Sequence, residues 1–523
     1  MAETRLRVLV IGCGIAGLTA AIHAWRRGHQ VTVVTKTDDP AESNSSYAQG
    51  GIVYRGHEDS PELLVKDILE ASDGMALPEA ARIVAEEGPE ALQEVLLDWA
   101  KVPFERDRAG DLQFGEEAAH SRRRILYSAD QTGRAITRAL LAFLKKKTEI
   151  RLLPNEVAVE IITAPHHSRN PLDVYRRPFC LGAYLHHTRD QKVRAVFADR
   201  VVLATGGIGQ MFRHTTNPEG ATGDGVALAW RAGCRVVNME YTQFHPTTLA
   251  MPGSGNFLIS EAVRGEGAIL LNHAGKDFTK AYDRRGSLAP RDTVSRAIFT
   301  ELERTGREHV LLSLDRISPA TIRKRFPTIL RKCLEFKIDI TREAIPVTPA
   351  FHFSCGGVLT DMDGQTTLPN LYAVGECACT GLHGANRLAS TSLLEGVVFG
   401  RRVAAHLCRS DFLARPFEKS IQGWEDHGLH SSHDPILVRQ DWMTLKNTMW
   451  NYVGILRTRS RMKRALETLK DLKNQVDHFY WNVKVHREML ELRNAIQAAL
   501  LITNSALKNR VSRGCHTVLR ERS

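Results

Sequence analysis

The chain has 523 residues, of which 43% are hydrophobic and 25% charged, a composition typical of folded globular proteins. Its length predicts about two to four domains, and no stretch approaches the roughly 18 uninterrupted apolar residues of a membrane-spanning helix. The nine cysteines stand singly apart from Cys377 and Cys379, which excludes a disulfide framework and a C-x-x-C metal motif. We therefore expect a cytoplasmic protein with no membrane contact and no bound metal.

The charge balance is basic, with 70 Lys and Arg against 59 Asp and Glu, or +11. Such a surplus invites a nucleic-acid interpretation. Residues 416–523 alone hold 18 basic and 11 acidic residues, so +7 of the surplus lies in the last fifth of the chain. A basic face on one domain, steering dicarboxylates or an acidic partner, explains this distribution better than nucleic-acid binding does.

A strand–helix–strand unit is predicted at the start of the chain. Arg7–Ile11 is an apolar β run, Leu18–Arg27 has helical spacing, and Gln30–Thr35 predicts a second strand. The turn after the first strand reads Gly12-Cys13-Gly14-Ile15-Ala16-Gly17. Its glycines suit a tight turn, close approach to a pyrophosphate, and helix–strand packing. The unit predicts a dinucleotide site, and a glycine-rich turn without ligand is the alternative.

The end of the second predicted strand departs from the nicotinamide fingerprint. An acid for the ribose hydroxyls usually stands there, whereas this chain has Thr35-Lys36. The next loop, Ser46-Tyr47-Ala48-Gln49-Gly50-Gly51, is made of small residues that suit packing against a flat ring. No second G-x-G-x-x-G opens another nucleotide domain. Together these features favour a flavin over a nicotinamide.

Later segments extend the same pattern. Residues 80–100 are predicted to be mostly helical, and the turn-rich residues 165–192 predict a hairpin or loop insertion. A strand over Arg200–Ala204 ends in glycines, and another ending at Val374 is closed by Gly375-Glu376. The carboxylates of Asp224 and Glu376 stand beside glycines, where they could accept hydrogen bonds from ribose or ribityl hydroxyls.

The β–α–β alternation is lost between about residues 240 and 350, which predicts an inserted domain. After about residue 415 the pattern is helical, and one apolar stripe predicts a long helix. The stripe consists of Met489, Leu492, Ile496, Leu500, Thr503 and Leu507.

Polar motifs punctuate residues 243–387. They are Gln243-Phe244-His245-Pro246, Ser260-Glu261-Ala262-Val263-Arg264-Gly265-Glu266, Pro290-Arg291, His352 and Asn386-Arg387. Two arginines and two histidines in loop-like segments suit a small dianion, because arginine binds carboxylates bidentately and stays charged. An isolated histidine is more often structural, and an internal salt bridge with Glu261 or Glu266 is the simpler interpretation of Arg264.

These motifs, with Asn386-Arg387-Leu388-Ala389-Ser390-Thr391-Ser392-Leu393-Leu394-Glu395, resemble the fumarate reductase/succinate dehydrogenase flavoprotein family. The resemblance covers residues 7–407 and resumes at Trp450–Ile455, Glu491–Asn494 and Ser512–Gly514. It implies an α/β fold: a Rossmann-like FAD-binding domain (1–238 and 353–415), an inserted α+β capping domain (239–352) and a C-terminal helical domain (416–523). Members with covalent flavin have a histidine where this chain has Asn44, so non-covalent FAD is expected.

The resemblance also implies the residues of the site. Arg291 and Arg387 would clamp carboxylates, with His245, His352 and the Ser260 hydroxyl assisting, and Arg291 is the family's proposed proton donor or acceptor. Glu117, in a loop that resembles the aspartate-oxidising branch, would face the substrate ammonium. The expected cofactor contacts are Gly12, Cys13, Gly14, Ile15, Ala16, Gly17, Lys36, Asn44, Ser45, Ser46, Tyr47, Ala48, Gln49, Gly50, Gly51, Val157, Asp224, Glu376, Ser392 and Leu393.

Three functional hypotheses follow. The first is FAD-dependent oxidation of L-aspartate to iminoaspartate at the start of NAD biosynthesis, with oxygen or fumarate as acceptor and possible coupling to quinolinate synthase. The second is a soluble fumarate reductase or succinate-oxidising flavoprotein. Glu117 would discriminate between the first hypothesis and the second. The third is a basic nucleic-acid-binding or scaffold protein that kept the fold.

The C-terminal segment departs from the family pattern at Val511 and Thr517.

Overall fold

A computed structural model describes residues 5–117, 119–146, 149–409, 413–430 and 434–521. The strands are β1 (Arg7–Ile11), β2 (Gln30–Val34), β3 (Ile52–Val53), β4 (Phe114–Gly115), β5 (Ile125–Leu126), β6 (Arg151–Leu153), β7 (Glu156–Thr163), β8 (Cys180–His187), β9 (Lys192–Phe197), β10 (Arg200–Leu203), β11 (Val236–Val237), β12 (Thr242–Leu249), β13 (Ile269–Leu271), β14 (Val310–Ser313), β15 (Ile345–Ser354), β16 (Gly357–Leu359), β17 (Leu371–Ala373) and β18 (Ala378–Cys379). The α-helices are α1 (Ile15–Arg26), α2 (Pro61–Ala71), α3 (Pro78–Leu92), α4 (Thr132–Lys145), α5 (Ala164–His167), α6 (Asp224–Arg231), α7 (Glu261–Gly265), α8 (Arg291–Thr305), α9 (Pro319–Arg325), α10 (Pro327–Glu335), α11 (Thr391–His406), α12 (Pro435–Val453), α13 (Arg459–Asn482) and α14 (Arg487–Lys508).

A five-stranded parallel sheet in the order β17-β10-β1-β2-β6 organises the first domain. β1 is central, with Ile11 in register with Val34 on one side and Leu203 on the other. Its apolar residues are buried, as expected for a parallel strand covered on both faces. Helix α1 is buried from Ile15 to Ala24 because it packs between the sheet and α11. The carboxyl ends of β1, β2, β10 and β17 therefore share one edge.

The segment between the two sequence parts of this domain builds a sheet of its own. β12, β15, β14 and β13 pair antiparallel in that order. Helices α8 to α10 pack with this sheet around an apolar cluster that includes Val263, Ile298, Leu312 and Ile345. The mixed strands and helices of this segment place His245, on β12, and Arg291, at the first position of α8, against the first domain.

The last part of the described chain is helical. α12, α13 and α14 are each capped by a side chain that accepts a hydrogen bond from a backbone N–H of the first turn. The capping residues are Asp434, Thr458 and His486 respectively. The predicted stripe on α14 is buried from Met489 to Thr503, whereas Leu507 is half-buried. These helices share a core with Phe212 and Phe351, so they contact both preceding parts of the chain.

Two local predictions agree with the structure in outline and differ from it in detail. The helix expected over residues 80–100 is α-helical only to Leu92 and continues as a π-helix over Gln93–Trp99. The turn-rich residues 165–192 contain a short helix, a 3₁₀ turn at Pro171–Tyr175, and strand β8, whose hairpin partner β9 follows.

No helix among the described residues is long and apolar enough to span a bilayer. Ala118, which follows Glu117 in its loop, lies outside the described residues.

Candidate active site

One elongated cavity follows the carboxyl edge of the parallel sheet and continues beneath the inserted segment. Ile11, Val34, Ala204 and Val374, at or just beyond the ends of β1, β2, β10 and β17, border its first half. This edge is the usual ligand position in open α/β sheets, because the loops that follow parallel strands meet there. The cavity thus joins the predicted cofactor motifs to the predicted substrate motifs.

The glycine turn leaves no room for side chains. Gly12 has φ +119°, and a Cβ there would lie 2.0 Å from the Ala204 carbonyl oxygen. A Cβ on Gly17 would lie 2.3 Å from the Gly12 carbonyl oxygen, so this glycine allows α1 to pack on the sheet. Gly14 has no side chain to cap α1, the Ser45 hydroxyl accepts from the Ile15 N–H at 3.1 Å, and the first residues of the helix line the cavity. A helix N-terminus placed in this way fits a pyrophosphate.

The loop after β2 fits a large polar ligand. The Gln49 Oε1 atom is buried without a partner among the described residues, and Gln49 lines the cavity. Buried polar atoms in proteins are nearly always hydrogen-bonded, so this acceptor is expected to meet a ligand group. Asn44 Nδ2 donates to Glu376 Oε2 at 2.8 Å, which joins this loop to the end of β17. The residues present therefore fit the flavin dinucleotide that the sequence predicts.

Withdrawal from water raises the pKa of Glu376 to about 7, although Asn44 and the Ser354 backbone N–H both donate to it. Burial of a carboxyl disfavours its charged form. Glu376 is therefore partly protonated near neutral pH, so it could donate as well as accept a hydrogen bond.

The structure brings nearly all the predicted site residues to this cavity. The lining includes Gly12, Cys13, Gly14, Ile15, Ala16, Lys36, Asn44, Ser45, Tyr47, Ala48, Gln49, Gly50, Gly51, Glu117, Val157, Asp224, His245, Ser260, Arg291, His352, Glu376, Arg387, Ser392 and Leu393. Gly17 lies behind the turn, and the Ser46 hydroxyl donates instead to the Ala41 carbonyl. Gly17 thus serves helix–sheet packing and Ser46 braces its own loop, and neither lines the cavity.

Two histidines face each other at the far end. The rings of His245 and His352 lie 5.2 Å apart, and His352 Nδ1 is 2.8 Å from the Thr216 hydroxyl. His245 Nδ1 lies 3.2 Å from the Thr247 backbone nitrogen. Burial, reinforced by the Arg291 charge, lowers the pKa of both histidines well below the usual value. Both rings are therefore neutral at neutral pH, and each keeps an Nε2 position for a ligand.

Gln243 links the two predicted clamp arginines. Its Oε1 atom accepts from Arg291 Nη1 and from Arg387 Nε, each at 3.3 Å. Its Nε2 atom donates to the Asn386 side chain and to the Arg387 carbonyl at 2.7 and 2.8 Å. Arg387 is further fixed by the Ser392 hydroxyl at 2.6 Å and by the Phe353 ring below its guanidinium. The paired guanidiniums make this end of the cavity a site for carboxylates.

Glu261 balances part of this charge. Its Oε2 atom accepts from Arg291 Nε at 2.5 Å, and its Oε1 atom lies 3.7 Å from Arg264 Nη2. Burial alone would raise the pKa of Glu261, but Arg291 and Arg264 outweigh it and lower the pKa. The internal salt bridge weighed for Arg264 is present at that distance. Ser260 lines the cavity and accepts from the Ala262 backbone N–H at 3.3 Å, which caps α7.

Glu117 is buried between the ring-packing loop and the arginines. Its Oε2 atom accepts from the Ser390 hydroxyl at 2.5 Å, and a Cβ on Gly50 would lie 2.3 Å from its Oε1. Burial, with repulsion from Glu261, raises the pKa of Glu117. Among the described residues no cation lies at ion-pair distance from this carboxylate, so it is an acidic group available to a ligand ammonium beside the arginines.

Three residues of this arrangement were not predicted as site residues. Ser390, Gln243 and Glu261 all line or brace the arginine end, and each stands inside or beside a predicted motif. Ser390 adopts φ +58°, a conformation uncommon for serine. Its place three residues after Arg387, inside the Asn386–Glu395 motif, was the available signal for Ser390, but its partner Glu117 is 273 residues away.

The chain matches two described protein families. The family described as 'FAD binding domain' matches residues 7–393, and the family described as 'Fumarate reductase flavoprotein C-term' matches residues 442–520. L-aspartate oxidase 1 of Ralstonia nicotianae is 44% identical, covering 97% of this chain and 94% of the relative. L-aspartate oxidase of Pseudomonas aeruginosa is 42% identical, covering 98% of this chain and 95% of the relative.

Solved structures agree with these matches. Quinol fumarate reductase of E. coli superposes with a TM-score of 0.86 at 26% identity, covering 100% of this chain and 92% of that one. Sdh1 of Mycobacterium smegmatis superposes with a TM-score of 0.81 at 29% identity, covering 99% of this chain and 89% of that one. The predicted fold class is confirmed: a FAD-binding α/β domain with an α+β cap and a helical C-terminal part. The residue boundaries of these domains stay predictions.

Proposed function

This chain belongs to the fumarate reductase/succinate dehydrogenase flavoprotein family and, within it, to the L-aspartate oxidases; from that premise we propose that it oxidises L-aspartate to iminoaspartate with FAD as cofactor. The observation that carries the proposal is the position of Glu117. A buried carboxylate without a paired cation stands between the ring-packing loop and a pair of guanidiniums. Such a pocket suits a dicarboxylate that also carries an ammonium group.

The two carboxylates of the substrate would be held at the arginine end. Arg291 and Arg387 share Gln243 as a brace, so their guanidiniums are fixed relative to each other before a ligand arrives. The neutral His245 and His352 would each donate one further hydrogen bond from Nε2 in the tautomer whose Nδ1 atom accepts. Preorganised donors of this kind position the reacting carbon at little entropic cost.

Glu117 would bind the ammonium by charge and hydrogen bonds. Its raised pKa also favours its taking up a proton released from the amino group. The Ser390 hydroxyl keeps Oε2 in place, which directs the carboxylate toward the cavity. FAD supplies the chemistry that these side chains lack, because its ring accepts the hydride from the substrate carbon.

FAD binding is proposed to be non-covalent. Covalent members of the family attach flavin through a histidine at the position of Asn44, and an amide offers no nucleophile for that bond. Here the Asn44 side chain is already committed to Glu376. The roles assigned to Arg291, Arg387, His245, His352, Ser260 and Glu117 belong to the same proposal.

The electron acceptor is proposed to be oxygen or fumarate. Fumarate is a planar dicarboxylate and fits the arginine end in the same way as the substrate. That overlap supports a second candidate function, a fumarate reductase or succinate-oxidising activity that does not need Glu117. In the cell, we place the reaction in the cytoplasm as the first step of NAD biosynthesis, with its unstable imine product passed to a quinolinate synthase.

The experiment is steady-state turnover of the FAD-loaded protein with L-aspartate, under oxygen or with fumarate as acceptor. Because an imine hydrolyses, formation of equal amounts of oxaloacetate and ammonium identifies the oxidation. Turnover of succinate at the same active-site concentration is the comparison. Equal amounts of both products from L-aspartate are expected, and oxidation of succinate without oxidation of L-aspartate would favour the second candidate.

A further inference from the structure

The C-terminal helical part reaches the cofactor half of the cavity through two side chains of α14. Glu491 Oε1 accepts from Lys36 Nζ at 2.9 Å, and Asn494 Nδ2 donates to Asp224 Oδ1 at 2.9 Å. Lys36 and Asp224 both line the cavity beside the glycine turn. Glu491 and Asn494 do not line it, and both are buried.

Lys36 has no hydrogen left for a ligand. Its ammonium donates to the Thr222 hydroxyl at 2.8 Å, to Asp224 Oδ2 at 2.7 Å and to Glu491 Oε1 at 2.9 Å. An ammonium has three donors and no acceptor, so these contacts exhaust it. Lys36, predicted as a cofactor contact, therefore orients Asp224 and does not offer its ammonium to a phosphate.

Asp224 keeps one acceptor position. Its Oδ1 atom accepts from Thr222 at 3.0 Å and from Asn494 at 2.9 Å, whereas among the described residues Oδ2 accepts only from Lys36. An ionised carboxylate can accept about four hydrogen bonds, which leaves one place on Oδ2. Lys36 lowers the pKa of Asp224 against the effect of burial, so the group is charged at neutral pH.

The orientation of the Asn494 amide is fixed as well. Arg231 Nη1 lies 2.9 Å from Asn494 Oδ1. Because arginine only donates, the amide oxygen must face Arg231 and the amide NH2 must face Asp224. Glu491 is fixed by a second contact, from Arg487 Nε at 3.0 Å. Asn494 is thus held by a side chain of α6, and Glu491 is held by a side chain of its own helix, α14.

We propose that Glu491 and Asn494 are positioning residues for FAD, which act by holding Lys36 and Asp224 so that the free acceptor of Asp224 meets a hydroxyl of the cofactor. The inference rests on the proposed FAD site and extends it to a part of the chain with no cavity-lining role of its own. Because binding and ordering are linked, FAD must in turn stabilise the docking of α14.

The test is FAD affinity of the full-length apoprotein, measured by flavin fluorescence, for Glu491→Gln and Asn494→Ala. Loss of a buried hydrogen bond to a charged group predicts a dissociation constant raised on the order of 5- to 30-fold. Glu488→Gln is the control for Glu491→Gln, since Glu488 is exposed in the first turn of the same helix. Asn504→Ala is the control for Asn494→Ala, since Asn504 donates to its own helix at the Leu500 carbonyl. Controls should bind FAD within twofold of wild type.

A purely structural role predicts a different pattern. It would lower the unfolding temperature of the apoprotein and leave the FAD dissociation constant unchanged, which would overturn the proposal. A double-mutant cycle separates direct action from action through Asp224. On an Asp224→Ala background, Asn494→Ala should have no further effect on FAD affinity, and an undiminished effect would contradict the proposed route.

Hydrogen exchange of wild type provides a measurement that needs no variant. Amides of residues 487–508 should exchange more slowly in the FAD-loaded protein than in the apoprotein. Unchanged exchange there, with FAD bound, would overturn the inference alone. Failure of the wild-type apoprotein to bind FAD would instead overturn the proposed function, so the two failures are distinguishable.

Discussion

The Ser390 hydroxyl donates a 2.5 Å hydrogen bond to Oε2 of Glu117, across 273 residues of sequence. This contact places a buried carboxylate at the junction of the two halves of the cavity. On one side lies the glycine loop predicted to pack against the flavin, and on the other lie the braced arginines. The contact explains how a site built for dicarboxylates could also select an amino group.

The first prediction concerns substrate choice. Glu117→Gln should lower kcat/KM for L-aspartate by about 100-fold, because a buried charge pair with the ammonium is lost. Fumarate reduction by the same variant should change by less than about fivefold. Glu116→Gln is the matched control, since Glu116 is exposed and pairs with Arg123. Equal losses on both substrates would contradict the ammonium role.

The second prediction concerns the clamp. Arg387→Lys should raise KM for L-aspartate by about 30-fold or more, because lysine cannot reproduce the planar fork held by Gln243, Ser392 and the Phe353 ring. Arg401→Lys, on the outward part of α11, keeps its Glu90 contact and should leave KM unchanged. A KM near wild type for Arg387→Lys, measured by steady-state kinetics, would remove this residue from substrate binding.

The third prediction concerns pH and the stability of the apoprotein. The pKa of Glu376 is raised from 4.5 to about 7 in the folded chain, so its stabilising contribution is complete below pH 4.5 and is lost as pH rises through 7. Relative to Glu376→Gln, wild type should lose on the order of 3 kcal/mol of unfolding free energy between pH 4.5 and 8. Urea unfolding of both proteins across this range measures the difference, and parallel pH profiles would contradict it.

The fourth prediction concerns the cofactor bond. Acid precipitation of the yellow protein should release all of its flavin into the supernatant, because Asn44 replaces the attachment histidine. Flavin absorbance of the redissolved pellet checks the result. Colour that stays with the denatured chain would show a covalent bond from another residue.

Much of the fold follows from local pattern. The strands Arg7–Ile11 and Arg200–Leu203 read as apolar runs because parallel strands are buried on both faces. The π-helix over Gln93–Trp99 was not predictable from spacing, since its residues fit an α-helical face equally well. Trp99, the last residue of this π-helix, is only half-buried.

The site was predicted wherever a motif is continuous in sequence. The glycines of the turn lie close together in the chain, and so do residues 44–51. The shared role of each group can therefore be predicted from the sequence. Gln243, Ser390 and Glu491 act through partners 144, 273 and 455 residues away respectively, at Arg387, Glu117 and Lys36. Pairings of that range depend on the packed fold, and no spacing rule identifies them.

The central claim is that this flavoprotein is reduced by L-aspartate. Anaerobic mixing of the FAD-loaded wild type with L-aspartate and, separately, with succinate measures flavin bleaching directly by stopped-flow absorbance. We expect L-aspartate to bleach the flavin completely and faster than succinate does at equal concentration, and we expect Glu117→Gln to slow this bleaching strongly. Bleaching by succinate with none by L-aspartate, or a protein that takes up no FAD, would contradict it.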